Sequence, residues 1–310
     1  MYYCQKKVLL SILIPTYNGA HKLPNLLEAL ALQTDTDFET IIVVDGSTDH
    51  TLELLKQNTW PLSSLNIISQ DNGGRALSRN QGAQAAQGDL LLFLDDDMRP
   101  APEVVARHKA FHQQQNHPCA LIGGAQEDET RLKTDLQFFR AYLSKKWSTN
   151  ASGKINAENP FLMAAHFSIP RALFAELGGF DERLTDAEDF DLAVRATEAG
   201  ISIYFDPGIE AWHDDFITCR AYIRRQRQYA AAHRKLMDLK PELYARYAQH
   251  QTKSPKGFKK MVYHFFGQKY WVSTIDGHNW LRALPRTWRY RVYDWVITAL
   301  GVHFPEKKID

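Results

Sequence analysis

The sequence predicts an α/β fold in which helices flank a mostly parallel sheet. Short runs rich in Ile, Leu and Val are typical of parallel strands buried on both faces. They lie at 8–14, 40–45, 65–69 and 89–94. Helical patterns alternate with them: a Leu stripe from Leu23 to Leu30, a second at Leu52 and Leu55, and an Ala-rich segment over 75–87. This alternation places the ligand crevice of the sheet at the carboxyl ends of its strands.

Further elements follow along the chain. The pattern predicts helices at 101–115, 171–177, 189–199 and 218–250, a strand at 120–124 and a mobile loop at 148–153. Gly178–Gly179 and Gly200 provide helix stops. The weakest boundary lies near 251–257. With 310 residues, 44% of them hydrophobic, the chain can bury a substantial core.

Charge is distributed unevenly along the chain. Residues 216–310 hold 19 Lys and Arg against 6 Asp and Glu, whereas residues 1–215 hold 18 against 30, and the net charge is +1. A basic segment suits an anionic partner such as a membrane surface, a lipid phosphate or nucleic acid. It is equally compatible with a solvated helical face, or with pairing to the acidic part of the chain.

The cysteines and apolar runs exclude several classes of protein. Cys4, Cys119 and Cys219 are widely separated, so neither a disulfide framework nor a zinc site is indicated. The first apolar run ends at Pro15 without a cleavage signal and is therefore interpreted as a strand. No apolar stretch reaches the ~18 residues of a spanning helix. We expect a cytoplasmic protein, soluble or peripheral at the cytoplasmic face of a membrane.

The run Leu90–Leu94 leads directly into Asp95, Asp96 and Asp97. Adjacent carboxylates at the end of an apolar strand indicate a hard cation such as Mg²⁺ or Mn²⁺, which prefers oxygen ligands. The alternative is an ordinary turn, in which Asp is common and Pro100 and Pro102 close the loop.

Several short motifs stand in one order along the chain. They are Pro15–Gly19, Val44–Asp49, Asn72–Gly74 with Arg79–Asn80, Asp95–Asp97, Gly178–Glu182, Glu188–Asp189 and Trp212–His213. With this spacing, residues 8 to about 235 resemble the family 2 glycosyltransferases of the GT-A fold. The resemblance implies a catalytic domain over 1–235, with a nucleotide-binding half (1–124) and an acceptor half (125–235). A basic, aromatic-rich helical extension would follow over 236–310.

The resemblance also implies a donor pocket. Pro15, Thr16 and Tyr17 would line it, and Asp45 would contact the nucleotide base. The sequence departs from the family pattern here, because a single Asp rather than two residues precedes Gly46–Ser47. Arg75 and Arg79 suit the donor diphosphate, although either could be a surface residue.

Metal ligands follow from the same resemblance. Asp97 would bind a Mn²⁺ or Mg²⁺ ion on the donor diphosphate, Asp95 would face the ribose or the metal, and His213 would complete the metal shell. A lone His is more often structural. Asp96 would lie in the donor site or be a solvated neighbour.

Glu188 and Asp189 occupy the position of the catalytic acids. The resemblance implies that Asp189 is the general base for an acceptor hydroxyl. Thr185–Glu188 also has the form of a capping box, and Asp189 suits the first turn of a helix through the helix dipole. Ala165–His166 stands where relatives often carry Gly–Asn near the donor sugar.

The expected protein is an inverting glycosyltransferase that uses a nucleotide-sugar donor, UDP-linked by preference. Its acceptor would be a glycan or lipid-linked hydroxyl in polysaccharide, lipid-linked glycan or glycolipid synthesis, with no nucleic-acid partner. A sugar nucleotidyltransferase and a non-catalytic glycan- or membrane-binding protein of the same fold are the alternatives. NAD binding is disfavoured, since no GxGxxG follows the first strand.

The C-terminal segment offers two interpretations. Over 286–300 an apolar face predicts a helix; its residues are Trp288, Val292, Trp295, Val296, Ala299 and Leu300. This helix could lie on an anionic membrane, or it could pack its stripe against the protein itself.

Overall fold

The computed structural model describes residues 9–150, 152–250 and 254–310. The chain divides into two compact units. The first extends to Gln126 and resumes over Lys146–Asp214, and the second comprises Glu127–Lys145 and Asp215–Asp310. Residues 215–235, which the sequence groups with the catalytic domain, therefore belong to the second unit. The functional division at residue 235 stays a prediction.

The first unit contains the sheet, and the predicted strands form within it. The strands are Leu10–Thr16 (β1), Phe38–Asp45 (β2), Leu65–Gln70 (β3), Leu90–Leu94 (β4), Met98–Pro100 (β5), Cys119–Gln126 (β6), Gly153–Lys154 (β7), His166–Pro170 (β8) and Ser202–His213 (β9). The helices are Leu23–Ala31 (α1), Thr51–Gln57 (α2), Arg75–Ala85 (α3), Val104–Gln114 (α4), Asp135–Asn150 (α5, shared with the second unit), Arg171–Glu176 (α6) and Glu188–Glu198 (α7).

The strand order across the sheet is β3-β2-β1-β4-β8-β6-β9-β5, with β7 paired to β9. The pairs β1–β2, β1–β4, β2–β3 and β6–β9 are parallel, and β8 runs antiparallel to both β4 and β6. The carboxyl ends of β1, β2 and β4 therefore meet at one edge. This is the GT-A arrangement that the sequence predicts.

Alternate residues of each central strand enter the cores on the two faces of the sheet. Leu91 and Phe93 belong to one buried cluster, whereas Leu90, Leu92 and Leu94 belong to the other. The Phe93 ring stacks on Phe167 of β8 with 4.7 Å between centroids. Burial on both faces explains why these strands are continuous apolar runs in the sequence.

Two features differ from the sequence prediction. The loop expected at 148–153 is incorrect in its first half, because α5 continues to Asn150 and the Ser148 side chain is buried. Residue 151 lies outside the described residues, as do residues 251–253 at the expected boundary. Strands β8 and β9 were not predicted, since their polar residues and the Pro207–Gly208 pair hide the strand pattern.

The second unit is helical in the residues described. After part of α5 it contains Cys219–Leu239 (α8), Pro241–Tyr244 (α9), Gly257–Phe266 (α10), Lys269–Asp276 (α11) and Arg286–Thr298 (α12). Short 3₁₀ segments lie at Ala245–His250 and Trp280–Ala283, and a π-helical turn follows at Ala299–His303. None of the helices in the described ranges is both long and apolar enough to cross a bilayer.

The α12 helix decides between the two interpretations of the 286–300 face. Val292, Val296 and Leu300 are buried in a core with Ile223 of α8 and Val272 of α11. Trp288 alone among the predicted stripe is mostly exposed. The stripe therefore packs on its own protein, and the interfacial interpretation of this helix is wrong.

Candidate active site

The loops after β1 and β2 are tied together by Asn18. Its backbone adopts the left-handed conformation with a φ of 53°. Its side-chain Oδ1 accepts hydrogen bonds from the backbone N–H groups of Thr48 (2.8 Å) and Asp49 (3.2 Å). Its own N–H donates to Ser47 Oγ over 3.0 Å. Pro15–Tyr17 and the loop after β2 thus form one surface.

Asp45 supports a third loop. Its carboxylate is buried and accepts hydrogen bonds from Gln70 Nε2 and the Gly73 N–H, both at 2.8 Å, and from the Gly74 N–H at 2.9 Å. Its carbonyl oxygen accepts from Asn72 Nδ2. In this structure the Asp45 carboxylate therefore shapes the 72–74 turn that leads into α3, rather than standing open to a ligand.

Thr16 and Asp96 connect the first loop to the aspartate run. Thr16 Oγ1 donates to Asp96 Oδ2 over 2.7 Å. Gly19 lies so close to both side chains that a Cβ atom at this position would be 2.0 Å from Thr16 Oγ1 and 2.8 Å from Asp96 Oδ2. Asp96 is buried rather than a solvated neighbour. Burial raises its pKa, against the opposing effect of Lys22.

Lys22 lies between two of the aspartates. Its Nζ is 3.0 Å from Asp96 Oδ1 and 3.2 Å from Asp97 Oδ2. Burial disfavours its charge, but Asp96 and Asp97 outweigh burial and raise the pKa of Lys22. A permanent cation therefore balances part of the carboxylate charge, which the sequence had not indicated.

Asp97 meets His213 because β5 pairs with the end of β9. Met98 is opposite His213 in this ladder, and the Asp214 N–H donates to the Asp97 carbonyl over 2.9 Å. His213 Nε2 is 3.3 Å from Asp97 Oδ1. Burial opposes ionisation of Asp97, yet His213 and then Lys22 lower its pKa.

The same pair is the part of the site suited to a cation. Asp97 Oδ1 is buried without a well-formed hydrogen bond, and its contact with His213 Nε2 at 3.3 Å places an oxygen and a nitrogen side by side as available ligands. Among the residues that the structure describes, no three His, Cys, Asp or Glu side chains form a cage. Magnesium is typically bound through one or two carboxylates with substrate phosphates supplying further ligands, and Asp97 with His213 fits such an open site.

Arg79 joins the aspartate run to the Glu188–Asp189 pair. Its guanidinium is 2% exposed and lies 2.6 Å from Asp95 Oδ1 and 2.5 Å from Glu188 Oε1. Burial opposes its charge, but the two carboxylates raise its pKa. Arg79 is therefore a buried bridge and not a surface residue. Arg75, the first residue of α3, is exposed.

The α7 helix begins at Glu188 itself. Its N-cap is Ala187, which has a left-handed φ of 62° and provides no side-chain cap. Thr185 therefore lies outside the helix, and the capping-box interpretation of Glu188 is wrong. Glu188 Oε2 is buried without a hydrogen-bond partner. Its role is electrostatic, since it faces Arg79 and lies next to Asp189.

Asp189 is the carboxyl group whose pKa suits proton transfer. Burial, followed by the charge of Glu188, raises the pKa of Asp189 to about 7. Hydrogen bonds from the backbone N–H groups of Phe190 and Ala164, together with Arg79, act in the opposite direction. A carboxyl group with a pKa near neutrality can accept a proton from a hydroxyl group and release it again.

Asn80 holds the glycine turn that precedes α7. Its Nδ2 donates to the Phe180 carbonyl and its Oδ1 accepts from the Phe180 N–H, both over 2.9 Å. A Cβ on Gly179 would lie 2.8 Å from Asn80 Oδ1. Arg195 Nη2 donates to the Gly179 carbonyl from the other side, over 2.7 Å. These contacts fix the entry into α7.

Ala165–His166 contributes backbone rather than side chain. His166 is fully buried, where it contacts His108 Nε2 at 3.1 Å and the Gly124 carbonyl at 2.9 Å. Burial lowers the pKa of His166 to about 4. The Ala165 carbonyl accepts from the Asp95 N–H over 3.2 Å. This segment thus supports the aspartate run through a backbone hydrogen bond.

The structure therefore connects most of the predicted site. Thr16, Asp96, Asp97 and His213 form one contact chain, and Asp95, Arg79 and Glu188 form a second that leads to Asp189. The sequence missed Lys22, and it assigned no role to Asn80 or Ala164. Lys22 follows the first motif by three residues. The sequence shows this position but does not show which side chains Lys22 contacts.

Comparison with known proteins identifies the family. The model of Glycosyl transferase family 2 matches residues 11–178. Validoxylamine A glucosyltransferase of Streptomyces hygroscopicus subsp. jinggangensis is 30% identical over 236 residues, which cover 66% of this chain and 56% of that protein. This chain spans 56%, 61% and 64% of three such curated relatives.

Two solved structures show the same fold. S. aureus TarS 1–349 in complex with UDP has a TM-score of 0.53 and 17% identity, with 96% of this chain and 90% of that chain covered. The mannosyltransferase PcManGT from Pyrobaculum calidifontis, in complex with GDP-Man and Mn²⁺, has a TM-score of 0.62 and 18% identity, with coverages of 96% and 88%. Since the family match spans more than half of the chain, the protein belongs to glycosyl transferase family 2, and these neighbours show that it has the GT-A fold.

Proposed function

We propose that the protein transfers a sugar from a nucleotide-sugar donor to an acceptor hydroxyl with inversion at the anomeric carbon. The observation that carries the proposal is the Arg79 bridge, which connects Asp95 of the aspartate run with Glu188 beside Asp189. A region suited to a diphosphate and a carboxyl group suited to proton transfer thus belong to one connected site.

The donor is proposed to be UDP-linked. TarS was solved with UDP and PcManGT with GDP-Man, so the fold accommodates donors of both nucleotides. The proposed base pocket comprises Pro15–Tyr17 and the 72–74 turn that Asp45 supports. Tyr17 is 51% exposed, which leaves its ring available for stacking on a base. Arg75 is proposed to reach the diphosphate.

The proposed metal ligands are Asp97 and His213, with Asp95 adjacent. The buried Asp97 Oδ1, which lies 3.3 Å from His213 Nε2, supports this assignment, and PcManGT binds Mn²⁺ in the same fold. A Mn²⁺ or Mg²⁺ ion bound there would neutralise charge on the departing diphosphate. Lys22 supplies a fixed positive charge beside the same carboxylates.

Asp189 is the proposed general base. It would take the proton from the acceptor hydroxyl as the oxygen attacks the anomeric carbon and the nucleoside diphosphate leaves. Glu188 keeps the pKa of Asp189 high, and Arg79 moderates that effect. With a pKa of about 7, Asp189 is partly ionised at neutral pH and is basic enough to accept the proton.

The proposed acceptor is a hydroxyl of a glycan or lipid-linked glycan in polysaccharide or glycolipid synthesis, at the cytoplasmic face of a membrane. An O-antigen chain rhamnosyltransferase of Salmonella typhimurium, 26% identical over 223 residues, supports this class. The catalytic part is proposed to extend over residues 1–235.

A donor panel tests the proposal. The full chain is incubated with UDP- and GDP-sugars and with Mn²⁺ or Mg²⁺, and release of nucleoside diphosphate is measured. We expect metal-dependent release from at least one UDP-sugar, lost in EDTA and in Asp97→Ala but kept in Asp238→Asn, which alters an exposed carboxylate of α8. Release unaffected by EDTA would contradict the metal assignment. Pyrophosphate release from a sugar phosphate and a nucleoside triphosphate would instead indicate a nucleotidyltransferase.

A further inference from the structure

The α10 helix exposes an apolar stripe. Phe258, Met261 and Phe265 are 78%, 69% and 60% exposed. Their i, i+3, i+7 spacing puts them on one side of the helix. Tyr263 is buried and Phe266 packs against the core of the second unit. Apolar side chains therefore lie on the side of α10 that packs against the protein and also on its exposed side. The packed side is sufficient to hold the helix in place.

A cleft adjoins the stripe. Its volume is about 710 Å³, and Met261, Phe265, Tyr270 and Trp271 line it together with Lys260. The α10 stripe and the cleft make one contiguous apolar surface. Surfaces of this kind on soluble chains mark sites of contact with a partner or a membrane.

The charge around the stripe indicates which partner. Residues 254–294 contain eight Lys and Arg and two acids, Asp276 and Asp294. Lys256, Lys259 and Lys260 are exposed next to the stripe, and Lys269 is exposed at the start of α11. Asp276 accepts hydrogen bonds from the backbone N–H groups of Cys219 and Arg220, and Asp294 interacts with Lys259, so the remaining lysines carry the charge of this face. A second copy of so cationic a face would be repelled.

We infer that the α10 stripe inserts into the interface of an anionic lipid bilayer while the surrounding lysines contact its headgroups. An amphipathic helix with aromatic residues on its apolar side and Lys on its flanks is the usual element for such binding. Exposed Trp280 and Trp288 in the same unit suit the interfacial region. The surface differs from the 286–300 face expected from the sequence, which is buried.

Vesicle co-sedimentation tests this inference. The full chain is mixed with vesicles of phosphatidylcholine alone or with added phosphatidylglycerol. We expect binding to the anionic vesicles that weakens with salt. The variant Lys256→Gln/Lys259→Gln/Lys260→Gln should lose about fivefold per lysine at low salt, on the order of a hundredfold in total. The control variant removes three exposed lysines elsewhere: Lys56→Gln/Lys154→Gln/Lys308→Gln. It should bind the anionic vesicles severalfold more tightly than the first variant does.

The apolar contribution is tested separately. Phe258→Ser/Met261→Ser/Phe265→Ser should lose at least about tenfold in binding and most of the salt-resistant fraction. Leu32→Ser, at an exposed leucine in the first unit, should bind as the wild type does. Donor hydrolysis without vesicles is measured in parallel, so that failure of the proposed activity is distinguishable from failure to bind lipid.

Three results would overturn the inference. They are equal, negligible binding of the wild type to both kinds of vesicle; equal binding of the serine variant and the wild type; and a concentration-dependent dimer that the serine variant abolishes. Quenching of wild-type tryptophan fluorescence by brominated acyl chains requires no variant, and absence of quenching would count against insertion.

Discussion

Replacement of Arg79 by Met should affect both stability and the pH dependence of catalysis. Met keeps the unbranched apolar stem of the side chain but removes a buried charge with two ion pairs, at 2.6 Å to Asp95 and 2.5 Å to Glu188. The Glu188 side chain is 5% exposed and would be left without a cation, whereas Asp95 at 29% can be solvated. Loss of one partner of a buried pair costs about 3–5 kcal/mol, and we expect the free energy of unfolding to fall by that amount.

The same substitution should move the pH profile of transfer. Asp189 must be ionised to act as a base, so the rate should rise with pH through about 7. Arg79 lowers the pKa of Asp189 and Glu188 raises it. Arg79→Met should therefore shift the rise in kcat/KM to higher pH. Arg79→Met combined with Glu188→Gln should recover part of the stability and return the rise towards lower pH.

Urea unfolding and pH profiles at saturating metal measure the two effects. Arg183→Met is the matched control, because the Arg183 side chain is 62% exposed and its guanidinium remains in contact with solvent while it pairs with Asp181. That control should leave the free energy of unfolding close to the wild-type value, because exposed ion pairs contribute little. A change just as small in Arg79→Met, with an unshifted pH profile, would refute the bridging role of Arg79.

Three further predictions concern Gly19, Lys22 and Asp189. Gly19→Ala should destabilise the protein by about 1–3 kcal/mol in thermal or urea unfolding, since its Cβ would overlap Thr16 Oγ1. Gly82→Ala, where the nearest atom would be 3.5 Å away inside α3, should be neutral or stabilising, and equal effects would contradict the close approach. Lys22→Met should strengthen the binding of Mn²⁺ alone at least about fivefold in calorimetry, because a competing cation is removed. Lys56→Met, at an exposed lysine, should not change the affinity for Mn²⁺. An unchanged affinity in Lys22→Met would contradict this prediction. The folded-state pKa of Asp189 lies above its unfolded value, so its contribution to the free energy of unfolding falls as pH rises from about 4 to 7. Asp189→Asn should lack this contribution, and unfolding measurements across that range should show the difference between the two proteins.

Much of the first unit was predictable because its signals are local. The runs that end at Pro15, Asp45 and Asp95 are buried on both sides of the sheet, and their order places polar residues at one edge. The β9 strand was not predictable in this way, because its pairing with β5 depends on residues more than one hundred positions away in sequence.

The side-chain partners within the site were less predictable than its members. Asp45 and Arg79 were expected to contact the donor, yet the structure assigns their polar atoms to Gly73–Gly74 and to Asp95 and Glu188. A motif specifies residue type and position, but hydrogen-bond partners depend on how three separate loops meet. The same reason explains why the sequence did not indicate the contacts of Lys22.

The apolar stripes of the C-terminal segment show a related limit. The 286–300 stripe and the α10 stripe have similar helical spacing, but one is buried and the other exposed. Periodicity identifies an apolar face and does not identify what covers it.

The central claim, that Asp189 is the base of a metal-dependent transfer, is tested most directly by separating donor binding from chemistry. Donor affinity is measured by calorimetry with Mn²⁺, and transfer by single-turnover kinetics, in the wild type, Asp189→Asn and the surface control Asp238→Asn. We predict donor affinity within about twofold of the wild type in both variants, and a 10²–10⁴-fold slower transfer in Asp189→Asn alone. A loss of transfer smaller than about tenfold in Asp189→Asn, with the donor bound normally, would contradict the account.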